Sequence, residues 1–337
     1  MKKIAIISGS THEKLAQGIA DQLGIQLTSR NITVFANGEI DAEITETIAG
    51  SEVFIIETSI TGKVNDNFVE SLLLIDAAKR ARATKVYLVQ TIFPYQRQDR
   101  REANKKGRPK RKSVSGKVIA NCYQKAVGVD GVVVVKLHSD QIEGFFDNNC
   151  IVENIDPAKL FIRYLKEKGI VKDDYNGEKE PIMVAPDVGS AKSTDDFANI
   201  LNLDYVLFNK RRIRAGESEV LHIVGDYKDR DCIIYDDLID TGGTVLKALE
   251  KLKEAKDQGA RNVYLLSAHG VFSKDAIHKL GKSDFTKIVI TDSINNEAIA
   301  EYKDKFDVIP LAPLLSSVIK NIYDLESLQS LVHHTEE

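Results

Sequence analysis

Apolar residues fall along the chain in short runs separated by stretches of helical spacing. KIAIIS (3–8), VFIIE (53–57), KVYLVQ (85–90), GVVVVKL (131–137), PIMVA (181–185), YVLF (205–208), DCIIYD (231–236), NVYLLSA (262–268) and KIVIT (287–291) read as strands, being short and rich in β-branched side chains. Between them, residues 12–23 and 66–83 read as helices. In the second, Phe68, Val69, Leu72, Ile75 and Ala78 share one face at helical period. Apolar runs without strict alternation suit parallel strands buried on both faces. Strands alternating with helices predict an α/β fold with right-handed crossovers. Folds of that kind bind ligands at the carboxyl ends of their strands.

The alternation breaks at the turn-rich DNNC (147–150), and Asp156-Pro157 can start a new helix. Two domains are therefore expected, 1–153 and 154–337. VKDDYNGEKEP (171–181) reads as a surface loop. REANKKGRPKRK (101–112) and NKRRIRAGESE (209–219) are basic and lack apolar periodicity, and the second lies between two strands.

Composition narrows the class. The chain has 337 residues, 43% hydrophobic and 28% charged, enough for two packed domains and too apolar for a disordered chain. No apolar run approaches the roughly 20 residues of a membrane span, and IAII near the N-terminus is too short for a signal peptide. Cys122, Cys150 and Cys232 are widely spaced and form neither a zinc spacing nor a disulfide framework, so a cytoplasmic protein is expected. The net charge of -4 argues against a general nucleic-acid binder.

The chemistry concentrates in IIYDDLIDTGGTVLKAL (233–249). A strand, a Thr-Gly-Gly-Thr turn and a helix start make an anion cradle. Glycines permit close backbone approach, and amides at a helix N-terminus favour negative charge. Asp236, Asp237 and Asp240 would repel a phosphate, so they need another task, either sugar hydroxyls or Mg²⁺. The bland alternative is a strand-to-helix turn whose acids only cap the helix. A cap needs one acid, however, and this loop has three.

DDLIDTGGT resembles the phosphoribosyl-pyrophosphate (PRPP) motif shared by type I phosphoribosyltransferases and ribose-phosphate pyrophosphokinases. Other segments resemble the pyrophosphokinases specifically and in the same order. They are FANGEIDAEI (35–44), VNDNFVESLLLIDAAKRA (64–81), FPYQRQDRR (93–101), KLHSDQIEGFFD (136–147), VAPDVGSAK (184–192), NKRRIR (209–214), SAHGVFS (267–273) and VIPLAPLLSSVI (308–319). The resemblance covers nearly the whole chain. It implies two phosphoribosyltransferase-like (type I) α/β domains, each a mainly parallel sheet flanked by helices, with the active site between them. The last helix, from about Leu311, would pack back on the N-terminal domain.

The implied reaction passes the diphosphoryl group of ATP to the anomeric hydroxyl of ribose 5-phosphate, giving PRPP and AMP, with Mg²⁺ required. By this resemblance Lys210 and Arg212 are the catalytic-loop cations. Arg97, Gln98, Asp99 and His138 meet ATP. Phe35, Asn37 and Glu39 hold adenine from a neighbouring subunit, which implies a homo-oligomer, dimer to hexamer. His138 and Asp187 bear on the metal. Asp236, Asp237, Asp240, Thr241, Gly242, Gly243 and Thr244 hold ribose 5-phosphate. Phosphate or ADP are the expected regulators.

Three features depart from the family pattern: Lys136 stands where an acid is usual, Ser190 replaces a glycine in PDVGS, and the segment after Asp99 is longer and more basic. The last reads as a solvated loop or an added anion site. A phosphoribosyltransferase that consumes PRPP and a non-catalytic regulatory homologue are the competing readings. The two-domain length and the ATP-type motifs count against the first, and the retained site residues against the second.

Overall fold

The structure is a computed structural model that describes residues 3–104, 107–175, 179–211, 220–254 and 259–332. It divides into two compact units. The first contains the chain up to Asp156, Asp292–Asn295, and the chain from Pro310 onward. The second contains Pro157–Thr291 and Asn296–Ile309.

The first unit holds β1 (Lys3–Ser8), α1 (Glu13–Leu23), β2 (Arg30–Val34), β3 (Ile40–Ile44), β4 (Ser51–Glu57), α2 (Val64–Arg80), β5 (Lys85–Gln90), α3 (Ser115–Asn121), β6 (Gly131–Val135) and β7 (Ile151–Ile155). Its main sheet runs β1-β4-β5-β6-β7, parallel throughout, while β2 and β3 form a separate antiparallel hairpin. The second unit holds α4 (Ala158–Glu167), β8 (Ile182–Ala185), α5 (Ala191–Leu201), β9 (Tyr205–Arg211), β10 (Val220–Val224), β11 (Cys232–Ile239), α6 (Gly243–Lys253), β12 (Val263–Gly270), α7 (Ala276–Gly281), β13 (Lys287–Thr291) and β14 (Phe306–Ile309). Its sheet runs β10-β9-β8-β11-β12-β13-β14, parallel except for β10. Helix α8 (Ala312–Asp324) belongs to the first unit, where it lies against α1.

The central strands of both large sheets are buried on two faces, which is why they are apolar almost without interruption. In the second unit Val184, Ile234 and Leu265 pack with Val245 and Leu249 of α6. Met183, Ile233 and Leu266, facing the other way, pack with Phe161 of α4 and Phe197 of α5. Each fully buried Ile, Leu or Phe removes apolar surface worth about 1.5–3 kcal/mol from water. Among the described residues no helix is long and apolar enough to cross a membrane.

Several elements differ from the sequence expectation. Strand β11 runs on to Ile239, past the expected end at Asp236, so Asp236 and Asp237 lie inside a strand rather than at its end. Strand β6 stops at Val135, because Lys136 turns left-handed at φ 38°. The β2–β3 hairpin, β7, β10 and β14 are not among the expected strands: β2 and β3 alternate exposed and half-buried residues, and β10 is missing although VLHIV (220–224) is apolar but for His222. The inward face of α2 is rotated from the apolar stripe. It runs through Asn67, Glu70, Ser71, Leu74, Ile75 and Ala78, leaving Val69 44% exposed. The cause is polar burial. Asn67 accepts from the Ile60 N–H, and Glu70 accepts from the Ser10 N–H and hydroxyl, both at 2.6 Å.

Those contacts belong to a buried polar cluster at the carboxyl end of the first sheet. Glu57 is fully buried and accepts from the Thr11 hydroxyl. Gly9 is required beside it, since a Cβ there would sit 1.9 Å from Glu57 Oε2. The returning segment closes this end. The Thr58 and Thr91 hydroxyls donate to the Ser293 carbonyl at 3.0 and 2.7 Å. His12 accepts from the Leu15 N–H through Nδ1, so Nε2 carries the proton and donates to the Asp292 carbonyl at 2.6 Å. Burial lowers the pKa of His12 and favours this neutral form.

Candidate active site

In the second unit the strand order reverses between β8 and β11. The chain moves outward from β8 to β9 and β10, then returns to place β11 on the other side of β8. The carboxyl ends of two strands at such a switch point flank a crevice that backbone does not fill, where ligands of open α/β sheets bind. Two of the motifs singled out in the sequence end here, PDVGS after β8 and DDLIDTGGT on β11. The first sheet shows no such reversal.

After β8, Asp187 is fixed by its own turn. The Ser190 N–H donates to Asp187 Oδ1 at 3.0 Å, and the Ser190 hydroxyl donates to the Asp187 carbonyl at 2.9 Å. Ser190 has an ordinary φ of -88°, so a side chain there costs no strain and adds a tie. The departure from glycine tightens the turn instead of reshaping it.

On β11, Asp236 pairs in register with Ser267 of β12. Burial first, then the charge of Asp237, push the Asp236 carboxyl up to about 8, and the charge of Asp187 adds to this. Three carboxyl groups therefore crowd one end of the switch point, and the crowding holds a proton on Asp236. Asp240 follows β11 and accepts from the Ser273 hydroxyl, while the Ser273 N–H donates to the Asp240 carbonyl at 3.1 Å. Gly242, at φ 73°, is the residue that caps α6. Having no side chain, it leaves the first-turn amides of α6 to whatever anion approaches. The acids are thus not helix caps. Thr241, Gly243 and Thr244 are exposed around the same turn.

In the first unit the FPYQRQD segment follows β5. Phe93 is buried and Tyr95 turns left-handed at φ 59°, which throws Arg97 outward. Gln98 accepts from the Ser115 hydroxyl at 2.8 Å, and Asp99 accepts from the Gln141 amide. The loop after β6 carries His138, exposed, whose N–H donates to Gln96 Oε1 at 3.0 Å. Arg97, Gln98, Asp99 and His138 thus lie on two loops tied together by Gln96 and Gln141. Phe35, Asn37 and Glu39 occupy the tip of the β2–β3 hairpin, closed by the Phe35 N–H donating to the Glu39 carbonyl at 2.8 Å. Phe35 is 51% exposed, so it is not a core aromatic.

Lys210 sits on β9 with its backbone opposite Leu221 of β10, and Arg212 lies outside the described residues. In the basic segment Lys110 and Lys112 pair with Glu102, and Lys105 and Lys106 lie outside the described residues. Gln96 and Ser273 are not singled out in the sequence, and Ser190 is noted there only as a departure from glycine, without its tie to Asp187. Each acts through a partner that no local pattern reveals.

Among the described residues no three His, Cys, Asp or Glu side chains form a ready metal cage. Mg²⁺ commonly takes one or two carboxylates and completes its octahedron with substrate phosphates and water. The crowded Asp187, Asp236 and Asp237 offer carboxylate oxygens of this kind.

Comparison with known proteins agrees with this geometry. Residues 4–127 match the model of the N-terminal domain of ribose phosphate pyrophosphokinase, and residues 209–333 match that of the phosphoribosyl synthetase-associated domain. The ribose-phosphate pyrophosphokinase of Helicobacter pylori is 38% identical over 331 residues, 98% of this chain and 96% of that protein. That of Haemophilus ducreyi is 38% identical over 333 residues, 98% of this chain and 99% of that protein. The crystal structure of phosphoribosylpyrophosphate synthetase from Mycobacterium smegmatis superposes with a TM-score of 0.83 at 29% identity, covering 96% of this chain and 99% of that one. The chain belongs to the ribose-phosphate pyrophosphokinase family.

Proposed function

We propose that the protein transfers the diphosphoryl group of ATP to the anomeric hydroxyl of ribose 5-phosphate, forming PRPP and AMP for nucleotide biosynthesis. The observation that carries this reading is the pairing, at one switch point, of an open helix N-terminus with a cluster of carboxylates. The two features suit the two ends of one sugar phosphate. Thr241 to Thr244 and the amides of α6 take the 5-phosphate, and Asp236, Asp237 and Asp240 take hydroxyls.

Arg97, Gln98, Asp99 and His138 take ATP, with the Arg97 guanidinium on phosphate oxygens. Phe35, Asn37 and Glu39, on an exposed hairpin tip, complete the adenine site of a neighbouring copy, which makes the protein a homo-oligomer of dimer to hexamer size. His138 and Asp187 are the residues assigned to the metal. Mg²⁺, when bound, neutralises phosphate charge and holds phosphate oxygens in place. Lys210 and Arg212 bring positive charge to the transferred group, where positioning and electrostatic stabilisation dominate catalysis. Phosphate or ADP act as regulators. Three free thiols suit the reducing cytoplasm.

Purified protein given ATP, Mg²⁺ and ribose 5-phosphate should release AMP only when the sugar phosphate is present. Release of ADP instead would mean transfer of a single phosphoryl group. Consumption of PRPP with a free base would make the protein a phosphoribosyltransferase.

A further inference from the structure

The loop that carries His138 begins with a strained residue. Lys136 has a φ of 38°, a left-handed conformation that a residue with a Cβ keeps only when its surroundings hold it there. The surroundings are specific. The Lys136 N–H donates to the Ile155 carbonyl at 2.9 Å, and the Leu137 N–H donates to Asn154 Oδ1 at 3.0 Å. The His138 N–H donates to Gln96 Oε1. The Lys136 ammonium bonds the Asp156 carboxylate just past β7, and both side chains are about four-fifths buried, at 21% and 22% exposed.

We propose that the Lys136–Asp156 ion pair is a positioning device for His138, and that Lys136 does not itself bind the substrate's phosphates. This rests on the functional reading above. The pair joins the left-handed residue at the end of β6 to the end of the neighbouring strand. It thereby fixes the direction in which the next two residues leave the sheet. Leu137 turns into the core at 4% exposed, and His138 turns outward beside the FPYQRQD loop that Gln96 anchors. An ammonium engaged with a largely buried carboxylate presents little net charge to a triphosphate. The lysine that replaces the family's usual acid therefore serves the loop's geometry through Asp156.

Four variants test it: Lys136→Met, Asp156→Asn, Lys136→Arg, and the swap Lys136→Asp with Asp156→Lys. Aspartate tolerates left-handed φ better than most residues, so the swap keeps the bend accessible. The two single removals should each raise the KM for ATP about tenfold, equivalent to about 1.4 kcal/mol of binding lost when His138 is misdirected. The KM for ribose 5-phosphate should stay within about twofold of wild type. Lys136→Arg should stay near wild type, and the swap should recover most of the loss. In protein labelled at histidine, the His138 imidazole resonances, assigned with His138→Gln, should move in both removals and return in the swap.

Unchanged ATP KM and unmoved His138 resonances in Lys136→Met and Asp156→Asn would overturn the proposal. So would a loss in Lys136→Met that Asp156→Asn does not share, since that would make the lysine a direct phosphate ligand. Equal loss for both substrates with a collapsed melting temperature would reduce the pair to a structural role. Absence of AMP release by wild-type protein would defeat the functional reading, while the resonances would still decide the ion pair.

Discussion

Asp236 and Asp237 stand side by side on β11, and burial together with that neighbouring charge raises the Asp236 carboxyl from 3.8 to about 8. A carboxyl raised on folding takes up a proton as the chain folds. Its contribution is intact below the unfolded value and declines as pH climbs towards 8, by up to about 1.4 kcal/mol per pH unit for one full proton. Asp236→Asn should therefore melt several degrees above wild type at pH 8 and match it near pH 4. The same variant should bind ribose 5-phosphate more weakly. Melting curves across pH, with calorimetric titration of the sugar phosphate, check both. A variant less stable than wild type at pH 8 would contradict the buried acid pair.

Ser273 fixes Asp240 through its hydroxyl and its N–H. Asp240→Asn should weaken ribose 5-phosphate binding by about tenfold or more, on the scale of a lost hydrogen bond to a charged group. Ser273→Ala should weaken it by less, because the backbone tie survives. Dissociation constants measured without ATP decide this. Unchanged values in Asp240→Asn would remove the residue from the sugar site.

Lys210 should act on the transferred group more than on either bound substrate. Lys210→Ala is expected to lower kcat by about a hundredfold or more, with ribose 5-phosphate affinity nearly unchanged. Single-turnover rates and equilibrium binding separate the two effects. Parallel loss of both would show a ground-state contact.

The Glu57–Glu70 pair makes a prediction remote from chemistry. Burial and the adjoining Glu70 raise Glu57 well above 4.5. By the same sign, the fold loses stability as pH rises past the unfolded carboxylate range, and Glu57→Gln should remove that loss. The difference in melting temperature between the variant and wild type should grow from near zero at pH 4 towards alkaline pH. A difference independent of pH would mean that Glu57 titrates normally.

How far the sequence reached follows from which interactions were local. The buried parallel strands announced themselves because both faces are apolar. DDLIDTGGT announced an anion cradle because glycine, helix start and acids are neighbours in the chain. The rotation of α2 was hidden, since Asn67 and Glu70 face inward only because Ile60 and Ser10 await them there. The roles of Gln96 and of Lys136 were hidden for the same reason: their partners, the His138 amide and Asp156, are distant in sequence. The helical stripe counted apolar residues, whereas burial at this sheet end is set by polar satisfaction.

In the proposed reaction two phosphoryl groups move together from ATP to the sugar's anomeric oxygen. Phosphorus NMR of a reaction containing ATP, Mg²⁺ and ribose 5-phosphate tests it most directly. AMP and a diphosphate ester should appear in equal amounts, with the sugar's 5-phosphate retained. ADP with a sugar bisphosphate, or ATP left intact, would contradict it.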